Sequence, residues 1–127
     1  MEMNELSGAV IGKCIEVHRA MGPGLLESIY QICLCHELKL AGIPFERHVL
    51  VPVNYRGLTL DCELRADIVV DKRLVLELKS IEKILPVHEA QLLTYMRLGG
   101  WKLGLLINFN VPVLTDGIKR RVLGAKD

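Results

Sequence analysis

Asp67, Glu77 and Lys79 have the types and spacing to form one polar cluster. Asp71-Lys72-Arg73 reads as a tight turn between two extended runs. In an antiparallel hairpin centred on Lys72, Asp67 stands as far before the centre as Glu77 stands after it. The two acids should therefore face each other, with β-carbons within about 5 Å. Lys79, two residues beyond Glu77, shares its side of the strand, and Leu78 points the other way, into the core. Two facing carboxylates repel unless something positive lies between them. A hard divalent cation such as Mg²⁺, with Mn²⁺ as a substitute, takes oxygen ligands and meets that need. Asp67 and Glu77 would each supply a carboxylate, the Leu78 carbonyl could add a third oxygen, and Lys79 could orient or deprotonate a water beside the metal. Such a site suits phosphodiester hydrolysis, because the metal polarises the phosphate and lowers the pKa of water while the ammonium holds developing negative charge. The plain alternative is a surface salt bridge between two strands. A one-residue slip in register would break the cluster.

The elements that must carry these residues follow from periodicity. Over residues 5–21, Leu6, Val10, Cys14, Val17 and Met21 recur at steps of three and four and predict a helix, which Gly22-Pro23-Gly24 stops. A second helix is expected over about 25–41, with Gly42 as its C-terminal cap and Pro44 preventing continuation. The period then changes. Phe45 to Tyr55 reads as extended and Arg56-Gly57 as a turn. From Leu58 onward, Leu58, Leu60, Cys62, Leu64, Ala66, Ile68 and Val70 alternate with Thr59, Asp61, Glu63, Arg65 and Asp67. This predicts one long strand, or two in sequence, with one buried face. Leu74 to Lys79 is the returning strand. Pro86 opens a third helix over about 86–98, ended by Gly99-Gly100. Residues 102–109 form an apolar, central strand, and the tail adds an edge strand or a short helix ending in a basic run. The order helix, helix, three or four strands, helix, strand implies an α/β (α+β) fold, a mixed sheet with helices packed on it.

Composition sets wider bounds. The chain has 127 residues, half of them hydrophobic and 24% charged, which suits one folded domain over 1–127. Lys plus Arg number 16 against 15 for Asp plus Glu, so any contact with nucleic acid must come from a local patch. No apolar run approaches the roughly 20 residues of a membrane helix, and no signal peptide is visible at the start, so a cytoplasmic protein away from membranes is expected. Cys14, Cys33, Cys35 and Cys62 form no CxxC pair and read as buried thiols.

Gly24-Leu25-Leu26-Glu27-Ser28-Ile29-Tyr30 is a GxxExxY match, followed by RADIVVDKRLVLELKS, PVHEAQLLTYMRLGG and KLGLLINFNVPVLTDGIKRRV. In this order and spacing the series resembles the GxxExxY protein family, which is placed in the PD-(D/E)XK nuclease superfamily. The likeness covers about residues 5–122. It implies a restriction-endonuclease-like core: helix, three-strand meander, helix, strand. It puts the superfamily's aspartate on Asp67, its glutamate on Glu77 and its lysine on Lys79. The acid of the preceding helix falls on Glu27 and the glutamine of the following helix on Gln91. Ala66 stands where the strict motif has proline.

The other polar residues divide by face. Glu27, in the first turn of its helix, either complements the macrodipole or serves as a metal or water ligand. Tyr30, one turn on, either hydrogen-bonds in the site and touches substrate or packs with its hydroxyl at the rim. His88, Gln91 and Tyr95 share one helix face that could border a phosphate path. His18 reads as a core or border histidine, and Glu89 and Arg97 as solvent-facing. Lys119, Arg120 and Arg121 could touch a nucleic-acid backbone, though a solvated face is the commoner explanation. Aromatic residues make up only 5% of the chain, too few for a base-stacking platform. Two functions follow. The first is a Mg²⁺-dependent nuclease acting on DNA more than RNA, structure-specific or of low sequence specificity, its footprint enlarged if it forms a homodimer. The second is a binding module on the same fold with weak or no catalysis.

Overall fold

The computed structural model describes residues 1–60 and 64–124. In chain order its elements are α1 (Met3–Met21), α2 (Glu27–Leu40), β1 (Phe45–Leu50), β2 (Val53–Tyr55), β3 (Leu58–Leu60), β4 (Arg65–Val70), β5 (Leu74–Lys79), α3 (Pro86–Gly99), β6 (Leu103–Asn108), a 3₁₀ turn (Leu114–Gly117) and β7 (Ile118–Val122). Five strands form a mixed sheet in the order β1-β4-β5-β6-β7, in which only β5 and β6 run parallel. The α+β architecture expected from the period changes is present.

The sheet is buried on both faces. Ile68, Val70, Leu74, Leu76, Leu78, Leu103, Leu105 and Ile107 pack under α1 and α2, through Leu6, Val10, Cys14, Leu34 and Leu38. Val69, Val75 and Leu106 meet α3 through Leu92, Tyr95 and Met96. This explains why β5 and β6 read as continuous apolar runs rather than alternations. At Gly104 α3 packs close on the sheet: a Cβ there would lie 2.5 Å from the sulfur of Met96 and 3.2 Å from Leu92 Cδ1.

The hairpin turn follows the expected register. Asp71 and Lys72 take left-handed φ values of 51° and 58°, and Arg73 N–H donates to the Val70 carbonyl at 3.0 Å. The Cα partners run Val70↔Leu74, Val69↔Val75 and Ile68↔Leu76, a ladder centred on Lys72.

Several expectations need correction. The second helix starts at Glu27 rather than near 25, because Leu26 is extended (φ −69°, ψ 150°) and Leu25 belongs to the preceding loop. The extended stretch from Phe45 splits at Val51-Pro52, and among the described residues β2 pairs only with β3, in a separate two-stranded sheet. Leu58 and Leu60, expected on a buried face, are consequently 58% and 41% exposed. Asp61, Cys62 and Glu63, the middle of the expected alternation, lie outside the described residues. Ala66, Ile68 and Val70 do not share one face either: Ile68 and Val70 pack under α1 and α2, whereas Ala66 packs with the α3 cluster. The strand changes face at Asp67.

The described cysteines Cys14, Cys33 and Cys35 are free thiols, and burial pushes Cys14 up to about 12, so it is inert. Among the described residues no helix is long and apolar enough to cross a membrane. Two of the three basic tail residues are internal ties. Arg120 donates to Asn4 Oδ1 at 2.7 Å and Ser7 Oγ at 3.2 Å, and Arg121 pairs with Glu89, which was expected in solvent.

Replacing Gly104 with Val should overpack the α3–sheet contact and cost about 1–3 kcal/mol. Urea melts should show a lower midpoint with an unchanged slope. A midpoint equal to wild type would mean that α3 is free to shift away from the sheet.

Candidate active site

The site begins where the β4–β5 ladder ends. Beyond Ile68↔Leu76 the strands are joined by two side chains instead of backbone alone. Leu78 N–H donates to Asp67 Oδ2 at 2.8 Å, and Asp67 N–H donates to Glu77 Oε1 at 3.3 Å. The facing carboxylates expected from the hairpin are thus interlocked through each other's strand. On the other side, β1 and β4 pair as Arg47↔Ile68 and Val49↔Ala66, skipping the His48–Asp67 position.

Burial makes the pair costly. Glu77 is only 5% exposed, the one acid among the described buried residues, and an ionised carboxylate in such surroundings needs a counter-charge. Its carboxyl is pushed from an ordinary 4.5 up to about 8, first by burial and then by the charge of Asp67, against the opposing pull of the Asp67 amide and of Lys79. Asp67 is also raised by burial, against the Leu78 amide and Lys79. Glu27 raises both carboxyls by its own charge. The site therefore collects three acids and one lysine within electrostatic reach. Among the described residues no three His, Cys, Asp or Glu side chains are grouped closely enough to hold a metal ion. The two strand acids form the tight pair, and Glu27 stands apart from them.

Glu27 is held in electrostatic range from the helix layer. It opens α2, which packs on one face of the sheet, and the loop before it is pinned twice. Tyr30 Oη donates to the Gly22 carbonyl at 2.5 Å and accepts from Leu25 N–H at 3.1 Å. Ser80 Oγ, directly after Lys79, donates to the Leu25 carbonyl at 2.5 Å. Both backbone groups of Leu25 are engaged, so the start of α2 is tied to the end of β5. The GxxExxY spacing gains a local reason. Gly24 takes φ +94°, open to glycine, the glutamate begins the helix, and the tyrosine one turn on closes the loop beneath it.

Tyr30, considered above as a substrate contact, is fully buried, its ring stacked on Phe109 with centroids 4.4 Å apart. Its hydroxyl is spent on the loop, a structural place that the spacing alone did not distinguish from the rim. Gln91 and Tyr95 do share a face of α3, but Gln91 Nε2 donates to Tyr95 Oη at 3.2 Å. Together with His88 and Leu64 they line a shallow groove of about 440 Å³. His88 Nδ1 also accepts the Leu85 N–H at 2.8 Å, closing the first turn of α3. These residues gather beside α3, and the hydrogen bonds of His88 and Gln91 stay within that helix and its first turn.

Sequence reasoning missed three residues. Ser80 follows the Glu-x-Lys run directly, and that adjacency was its only signal. Asn108, opposite Lys79 across β5 and β6, is 2% exposed. Its Oδ1 accepts from Ile81 and Asn110 N–H and its Nδ2 donates to the Ile81 carbonyl, clamping the chain after Ser80. A lone amide in the run LLINF was a usable sign, since such groups are rarely buried without partners. His48 is the third.

Tyr30→Phe should leave the Gly22 carbonyl and Leu25 N–H without their partner and lower stability by about 1–2 kcal/mol; an unchanged thermal midpoint would show that the loop is held without it. A pH dependence follows from Glu77. Its folded pKa lies above the unfolded value, so the stabilisation is present below pH 4.5 and lost as pH rises towards about 8. Metal-free wild type should therefore lose stability relative to Glu77→Gln as pH rises across that window. Parallel pH profiles for the two proteins would contradict the buried acid pair.

A family profile described as the PD-(D/E)XK nuclease superfamily matches residues 4–121. No curated protein and no solved structure matches. The match spans the acid pair, the lysine, the helix-opening glutamate and the sheet that carries them, and the chain belongs to the PD-(D/E)XK nuclease superfamily.

Proposed function

We propose that this protein is a divalent-metal-dependent phosphodiesterase that hydrolyses nucleic acid, DNA in preference to RNA, with structure-specific or low sequence specificity. The observation that carries the reading is the buried, mutually repelling Asp67–Glu77 pair beside Lys79. Such a pair is unfavourable without a cation and suited to one.

The donor set fits Mg²⁺ or Mn²⁺. Asp67 and Glu77 would contribute carboxylate oxygens and Leu78 its carbonyl, with Glu27 acting through a bound water because it stands outside the tight pair. When bound, the cation polarises the scissile phosphate and acidifies its water. Lys79, as its ammonium, would orient the attacking water by a hydrogen bond and offset negative charge as it develops on the phosphate, while the proton of the water passes to solvent. The amides of Leu78 and Asp67 keep the two carboxylates oriented. Gln91, His88 and Tyr95 border the path of the substrate strand along α3. A chain with a formal net charge of +1 has no broad basic field for duplex binding, which favours a small footprint, enlarged if two copies pair. The second reading, a binding module with an idle site, is favoured by that weak charge and opposed by the retained acid pair.

Mn²⁺ or Mg²⁺ should raise the thermal midpoint of the wild type, since a ligand of the folded state alone stabilises it, and Glu77→Gln should abolish the rise. On a panel of single-stranded, duplex and branched DNA and RNA with Mn²⁺, Lys79→Ala should cut cleavage by about 10²-fold or more. Equal cleavage by wild type and Lys79→Ala would assign the activity to a contaminant and reject the site.

A further inference from the structure

His48 is the one described non-glycine residue with positive φ that does not sit in a turn. Arg56, Asp71 and Lys72 take such values at hairpin turns, whereas His48, at φ 52°, lies inside β1. The ladder with β4 resumes beyond it in the same register, so no residue has been inserted. The distortion has a packing consequence. Phe45 before it packs towards α1 and α2, while Val49 and Val51 after it pack in the α3 cluster, as Ala66 does opposite. That consequence needs only a residue able to adopt left-handed φ, and glycine would do so with least strain. Packing does not call for an imidazole, and this one is exposed to solvent. What lies across from it is Asp67, on whose carboxyl the charge of His48 acts. Strained backbone beside a catalytic site is a recurrent way of aiming a side chain.

We propose that His48 is a substrate-contact residue, its imidazole donating a hydrogen bond to a non-bridging phosphate oxygen of the nucleic-acid strand held at Asp67 and Glu77. The inference rests on the phosphodiesterase reading and extends it. The third strand wall of the site, β1, supplies a phosphate contact in addition to that of Lys79 on β5. The kink in β1 serves to turn that contact towards the acids.

The experiment compares wild type with His48→Gly, His48→Asn and Lys79→Ala, using fluorescein-labelled single-stranded and duplex oligonucleotides. Binding is followed by anisotropy with Ca²⁺, a larger cation used to hold substrate without turnover, and cleavage by steady-state kinetics with Mn²⁺. His48→Gly relieves the backbone and keeps the fold, so its thermal midpoint should equal or exceed that of wild type. Its Kd and KM should nevertheless rise about tenfold, as expected for one lost hydrogen bond to a charged group. His48→Asn, which tolerates left-handed φ and keeps a donor, should fall between the two. A glycine variant with wild-type Kd, KM and kcat, in an assay where Lys79→Ala is inactive, overturns the His48 contact alone. A wild type that neither binds nor cleaves any substrate overturns the phosphodiesterase reading and this contact together.

Discussion

The repulsion between two carboxylates held together between strands, Glu77 buried and Asp67 half-buried, is the constraint on which the rest of the site depends. Glu77 sits in a strand among Leu74, Val75, Leu76 and Leu78, all buried apolar side chains. An acid at such a position is unfavourable by itself, and Asp67 opposite makes it more so. The amides of Leu78 and Asp67 and the ammonium of Lys79 offset part of that cost without removing it. Stability alone would favour an apolar residue at 77. The proposed phosphodiesterase function gives a reason for an acid there, and the chain belongs to a nuclease superfamily.

The surrounding structure serves to bring distant segments to that one corner. The sheet supplies Asp67, Glu77 and Lys79 where β4 and β5 part. The helix layer supplies Glu27 through a loop fastened by Tyr30 and Ser80, so the helix start cannot drift from the strand end. Asn108 then fixes the path of the chain as it leaves the site. These are short, partly buried hydrogen bonds to backbone groups, which position more than they stabilise. Each lies at an end of an element, where regular hydrogen bonding runs out and side chains must take over.

Much of this was readable residue by residue. The turn at Asp71-Lys72-Arg73 set the hairpin register, and the acid pair followed from it, because strand pairing is local and its arithmetic is simple. The apolar steps in α1 and the glycines closing α1 and α3 were equally legible. Leu58 and Leu60 were not: their alternation is regular, but alternation reports two different faces without saying that either is covered. Tyr30 and Glu27, one helical turn apart, looked like one functional face, yet Tyr30 is buried against Phe109 while Glu27 is half-buried and acts on the strand acids through its charge. His88, Gln91 and Tyr95 were correctly placed on one face of α3, and nothing in their spacing indicated how that face lies relative to the acid pair.

The chain's local signals, period, turn chemistry and charge spacing, determined the order of elements, the register of β4 on β5 and the convergence of Asp67, Glu77 and Lys79. Those properties depend on residues near each other along the backbone. The tertiary structure alone decided that Glu27 comes within electrostatic range of the strand acids, that β1 kinks at His48, that Ala66 and Ile68 face opposite layers, and that Tyr30 and Ser80 hold one loop between them. Each of these depends on how helices and strands distant in sequence come to rest against one another. Packing geometry settles that through contacts that no spacing along a single strand or helix encodes.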